Sequence, residues 1–162
     1  NGYEHLWLKA TAKAAMPVSQ ITWLHDNGRF YSLSTISRAD MKILFTQIGA
    51  NDPLFNLRTE NAFILRIPSA KQAAFVSVLE PHGEYNPVSE LTFTANSQVK
   101  NITHQQVGDI DQVSLEFING PKLLLLLNNA KAFDEKKLNK VKIGGKQYSF
   151  RGRFHLIDLS DN

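Results

Sequence analysis

Apolar and polar residues alternate with a period of two along most of the chain, and helical periodicity is nearly absent. Leu6, Leu8 and Ala10 alternate with His5, Trp7 and Lys9. In Ile21-Thr22-Trp23-Leu24 the apolar groups fall on both faces. Asn27-Gly28 supplies a two-residue turn, since both positions tolerate positive φ, and 30–36 returns as the partner strand. Further strands are predicted over 41–48, 61–67, 73–80, 90–95, 98–105, 112–118, 122–128, 140–143, 146–150 and 153–159, each bounded by turn-forming residues. The run from Leu123 to Leu127 has no polar positions, so it is predicted to be a central strand covered on both faces. Two loops stand out: 51–58, and 81–87 with a proline at each end. Only 130–138 hints at a helical turn.

Short strands without a βαβ rhythm predict an all-β fold, an antiparallel two-sheet β-sandwich of about a dozen short strands. The length of 162 residues suits a single domain over 1–162, and 43% hydrophobic content suffices for a core without staples. The absence of cysteine excludes a disulfide scaffold and thiol catalysis. No apolar run approaches the roughly 18 residues of a membrane helix, so no membrane span is expected. A net charge of +3 is too small and too scattered to predict a nucleic-acid partner. Lysines gather only between Lys131 and Lys146, where they read as a solvated turn and a protected sheet edge. The chain opens on Asn1-Gly2-Tyr3-Glu4-His5 without an initiator methionine and runs at once into a strand pattern. It is therefore expected to be cut from something longer, by cloning or proteolysis.

Candidate chemistry is sparse. The five histidines form no close ligand pair, so no metal site is expected from this chain alone. No serine elbow or phosphate-binding glycine loop is present. The densest stretch is Glu80-Pro81-His82-Gly83-Glu84-Tyr85-Asn86-Pro87. His82, Glu84 and Tyr85 supply a donor, an acceptor and a flat face of the kind that sugar binding requires. The alternative is a rigid loop whose polar groups bond neighbouring backbone. In the second loop, Arg58 suits a bidentate clamp on a carboxylate, or a fold-supporting ion pair with Glu60 or Glu84. Trp7 and Trp23, among apolar neighbours, read as core.

Several phrases are familiar together. They are Asn1-Gly2-Tyr3-Glu4-His5-Leu6-Trp7; Thr22-Trp23-Leu24 with Asn27-Gly28-Arg29-Phe30-Tyr31-Ser32-Leu33; Leu44-Phe45-Thr46 with Ile48-Gly49-Ala50-Asn51-Asp52-Pro53 and Phe55-Asn56-Leu57-Arg58; and Val78-Leu79 leading into Glu80 through Pro87. These phrases, within residues 1 to about 97, resemble the C-terminal β-sheet region of the heparinase II/III-like lyases, and among them the oligoalginate lyases of polysaccharide lyase family seventeen. The resemblance implies a parent that joins a helical toroid to antiparallel sheets and cleaves alginate oligomers by β-elimination. That chemistry neutralises a uronate carboxylate, removes the C5 proton and protonates the C4 oxygen. It implies catalytic residues upstream of Asn1: an Asn-His pair and a Tyr in the toroid, and a second Tyr with a His in the early β region, near a structural zinc of the parent. No catalytic residue, metal ligand or cofactor is thereby carried onto this chain.

The resemblance further implies a domain that is non-catalytic alone and packs on the toroid and upstream β region or helps form a homodimer. Its loops 51–58 and 81–87, through Arg58, His82, Glu84 and Tyr85, would touch alginate oligosaccharide or the toroid. It also implies a bacterial periplasm or cell envelope. Two rival readings are an autonomous carbohydrate-binding module for anionic polysaccharide and an autonomous lyase using His82 and Tyr85.

Overall fold

The computed structural model describes residues 6–25, 27–51, 57–68, 70–132 and 134–160, with side-chain surroundings described for all of these but 50, 51, 57 and 58. Thirteen strands follow in order: β1 (Leu6–Lys13), β2 (Val18–Leu24), β3 (Arg29–Ile36), β4 (Lys42–Asn51), β5 (Leu57–Arg66), β6 (Ser77–Asn86), β7 (Leu91–Phe93), β8 (Val99–Val107), β9 (Ile110–Phe117), β10 (Lys122–Asn128), β11 (Asn139–Ile143), β12 (Lys146–Phe150) and β13 (Phe154–Asp158). Every strand pairing described is antiparallel, and no helix occurs among the described residues. The sandwich-like all-β class expected from the alternation holds. The strands are distributed over four small sheets instead of two, ordered β1-β4-β5, β2-β3-β6-β7, β13-β10-β9-β8 and β11-β12. Contacts divide the chain into two compact units, one of Asn1–Ser19 with Ser37–Phe75 and one of Gln20–Ile36 with Val76–Asn162.

The first unit carries the β1-β4-β5 sheet. Trp7 pairs with Gln47, and its ring lies so close over Gly49 that a Cβ there would meet ring carbons at 2.5 and 2.7 Å. The glycine makes room for an indole that stays 49% exposed, not buried as its apolar neighbours suggested. Among the described residues, Met41 and Ile43 are the buried apolar residues of this unit.

In the second unit, β10 is the central strand of its sheet, as its five consecutive leucines predicted. Leu124 and Leu126 point to one face and are buried against the β11-β12 hairpin through Val141 and Phe150. Two sheets packed face to face bury alternate residues, and this contact forms the core. Leu123, Leu125 and Leu127 point to the other face and are only half-buried, so the expected cover on both faces is partial. Between the edge strand β8 and its neighbour β9, Lys100 Nζ lies 2.8 Å from Glu116, whose carboxyl the neighbouring ammonium holds below its ordinary range.

Several local expectations change. The predicted loop 51–58 is shorter, because β4 runs to Asn51 and β5 starts at Leu57. The segment 81–87 is not a loop: β6 runs through Pro81 to Asn86, and 73–76 is not strand. A proline in a strand must lack one ladder bond, which suggested a loop, but Pro81 pairs with Tyr31 in register. The strand predicted over 90–95 shrinks to Leu91–Phe93, because Glu90 and Thr94 adopt φ of 56° and 50°. The helical turn expected over 130–138 is absent among the described residues there, which form turns and bends. The hairpins at Asn27-Gly28 and Gly144-Gly145 form, with φ of 77°, 55° and 87° at the three glycines.

Candidate functional site

β6 positions three of the four side chains singled out for sugar contact, and its alternation sends them to different places. His82 pairs with Phe30 in register and faces inward, at 8% exposure. Its Nδ1 lies 2.9 Å from the Thr94 carbonyl and its Nε2 lies 2.8 Å from Ser32 Oγ. A carbonyl only accepts, so Nδ1 carries a proton, while Nε2 shares a hydrogen bond with the Ser32 hydroxyl. Ser32 Oγ also lies 2.6 Å from Thr22 Oγ1. Beside this line, Gln20 Nε2 donates to Ser34 Oγ at 2.9 Å. The result is a polar ladder from the exposed edge strand β2, across β3, to a buried histidine on β6.

Serine bonded to the Nε2 of a histidine whose Nδ1 is held by an acceptor has the connectivity of an activated nucleophile. Ser32 is 0% exposed, however, so no substrate reaches its Oγ. Both ring nitrogens of His82 are engaged inside the fold, and its ring stacks on Phe30 with centroids 6.2 Å apart. This geometry joins β3, β6 and the segment after β7.

The other two side chains diverge from His82. Register shifts at Gly83, so Glu84 sits opposite both Arg29 and Phe93 and is exposed. Tyr85 is half-buried and borders an open depression of about 420 Å³, together with Leu24, His25, Asn27, Gly28 and Pro87. No lysine or arginine borders that depression among the described residues. Arg58 lies on β5, in register with Ala50 in the other unit, and its side chain lies outside the described residues, as does the loop 52–56.

Glu80, read as part of the chemical cluster, is a structural acceptor. Its carboxylate takes the Ser97 hydroxyl and the Gln98 N–H. A second acid–base pair went unnoticed in the sequence. His104 Nε2 lies 2.7 Å from Asp111 Oδ1, with side chains 23% and 17% exposed, and Asn129 donates to the other carboxylate oxygen. It ties β8 to β9 and to the chain leaving β10. The four-residue offset from His104 to Gly108 at the β8–β9 turn was the available signal, since a tight hairpin folds 104 and 111 onto one face. No three His, Asp or Glu side chains converge as metal ligands among the described residues.

Abstraction of a C5 proton needs a base in reach, a donor aimed at the carboxylate and an acid at the leaving oxygen. The described residues do not bring these three functions together around Tyr85 or around His104.

No family model matches the chain. It is 37% identical over 161 residues to the alginate lyase of Stenotrophomonas maltophilia, a match that covers 99% of this chain and 21% of that protein. It is 38% identical over 156 residues to the exo-oligoalginate lyase of Saccharophagus degradans, covering 94% of this chain and 21% of that protein. The chain thus spans about a fifth of the length of the relatives it matches.

Proposed function

Because the chain matches a fragment of an oligoalginate lyase over nearly its whole length, we propose that it is a β-sheet domain of such a lyase, non-catalytic by itself and completed by the rest of the enzyme. The parent would open uronate linkages by β-elimination. This domain would support one side of the assembly, in a bacterial periplasm or envelope.

The observation that carries this reading is an exposed apolar sheet face among the described residues. On the β13-β10-β9-β8 sheet, the face opposite the core is buried at Ile102 on β8 and opens towards β13. There Leu125 pairs with Leu156, which is 57% exposed, and Leu127 pairs with Phe154, which is 67% exposed. An apolar face of this kind is a liability on a free domain and ordinary at an interface. With four-fifths of each relative's length outside the match, the remainder of the lyase polypeptide is the occupant we assign to it.

Leu156→Lys together with Phe154→Lys tests this. In a full-length lyase carrying this domain, the pair is expected to lower the thermal midpoint and cut oligoalginate turnover several-fold. In the isolated chain the same pair should leave the circular dichroism and the unfolding midpoint unchanged, because both side chains already face solvent. A full-length enzyme indifferent to both substitutions would sink the docking assignment.

A further inference from the structure

Charge is distributed unevenly, and one segment around the β11-β12 hairpin collects the basic residues. Between Glu135 and Asp158 lie seven of the chain's 18 basic side chains and none of its 15 acidic ones. The remainder of the chain is therefore net acidic, although the whole carries +3. The fold gives this segment a definite form. β11 and β12 pair as a two-stranded sheet with Lys140 opposite Ser149 and Lys142 opposite Gln147. Val141 and Phe150 turn inward and are buried in the core. Alternation therefore sends Lys140, Lys142, Gln147 and Ser149 to the outer face together, and all four are exposed.

The two ammonium groups stand on one strand face with Cα atoms about 7 Å apart, two residues along a β-strand. The amide of Gln147 and the hydroxyl of Ser149 flank them on the neighbouring strand. Neither lysine has an acidic partner among the described residues, whereas Lys100 and Arg38 do. Beyond the face, Lys146 lies 5.8 Å from the Tyr148 ring centroid, and Arg151 follows β12. Two unpaired cations in line, with neutral donors beside them, fit a chain of regularly spaced carboxylates better than a single small anion.

We propose that the outer face of the β11-β12 hairpin binds an anionic polysaccharide, a uronate chain whose successive carboxylates meet Lys140 and Lys142 while its hydroxyls meet Gln147 and Ser149. The cationic face stands on geometry and charge alone. Naming a uronate as its ligand rests on the lyase reading above. The hairpin would hold polymer near the enzyme as a tether and takes no part in bond cleavage. Its binding is electrostatic and falls with added salt.

The test is a titration of the full 162-residue chain with polymannuronate at low and at moderate salt, followed by amide shifts. Lys140→Gln with Lys142→Gln is compared with a charge-matched control, Lys9→Gln with Lys71→Gln, at exposed positions elsewhere. The expected result is saturable shifts on β11 and β12, weakened at least tenfold in the hairpin variant, less than twofold in the control, and strongly by salt. Equal binding by the hairpin variant overturns the proposal, as does an absence of binding up to millimolar uronate. If the variant only aggregates while its binding persists, the lysines guard a sheet edge and the proposal fails. If inorganic polyphosphate binds and polymannuronate does not, the uronate assignment fails. None of these results bears on the docking of the β13 face, which is read from the full-length enzyme, so the two readings fail separately.

Discussion

Gly83→Ala is expected to destabilise the second unit by about 3 kcal/mol or more, the largest effect of any small substitution in the strand that carries the candidate site. Two costs add. Gly83 holds φ of 53°, which an alanine adopts at about 1–2 kcal/mol. Its missing side chain is also where the Phe93 and Thr94 carbonyls pass, and a Cβ would overlap both oxygens. These are backbone atoms of β7 and the residue after it, so relief requires moving the strand. Gly144→Ala separates the two costs. It has φ of 55° and nothing within 4 Å of a Cβ, so it should lose only the conformational part, about 1 kcal/mol. Urea unfolding of the two variants measures the difference. Equal midpoints would mean that β7 does not press on Gly83.

His82→Ala is expected to cost about 2–4 kcal/mol, from a cavity beside Phe30 and the loss of a buried and a partly buried hydrogen bond. Ser32 keeps Thr22 as a partner, but the Thr94 carbonyl loses the donor shown for it. Thr94 sits at φ of 50°, an uncommon conformation for a β-branched residue, so that donor helps to hold a strained position. The amide signals of 91–97 should therefore shift most. A sugar-contacting histidine would behave in the opposite way, with sugar binding reduced and unfolding unchanged. Unfolding at the wild-type midpoint would show that the ladder from Thr22 to Thr94 adds nothing to stability.

The fold class was legible because the period-two pattern and the Asn-Gly and Gly-Gly turns are local signals, and local signals set strand and hairpin. The leucine run announced β10 as central for the same reason. What stayed hidden depends on partners far along the chain. Pro81 and Pro87 suggested a loop between them, yet Arg29, Phe30 and Tyr31 on β3 hold that segment as a strand. His82 read either as a sugar contact or as part of a rigid loop bonded to neighbouring backbone. Its polarity is satisfied instead by Ser32, fifty positions away, and by a carbonyl. Ser32 and Ser34 are both buried, although hydroxyls at alternate positions ordinarily mark a solvent face. Trp7 read as core because its neighbours are apolar, and one glycine across the sheet gives it a surface seat. The lysines of 136–146 were legible as charge. Only the β11-β12 register sorts two of them onto a single face.

The relatives' names print a lyase activity, and the described residues around Tyr85 and His104 do not bring its base, donor and acid together, which makes catalysis by the isolated chain the sharpest question. The measurement is proton NMR of the pure chain with mannuronate oligomers, watching for the alkene proton that β-elimination creates at C4. No alkene signal after prolonged incubation, with the oligomers recovered intact, is the result expected of a domain that awaits the rest of its enzyme. Alkene signals that grow in proportion to the chain's concentration, and that Tyr85→Phe abolishes, would contradict it.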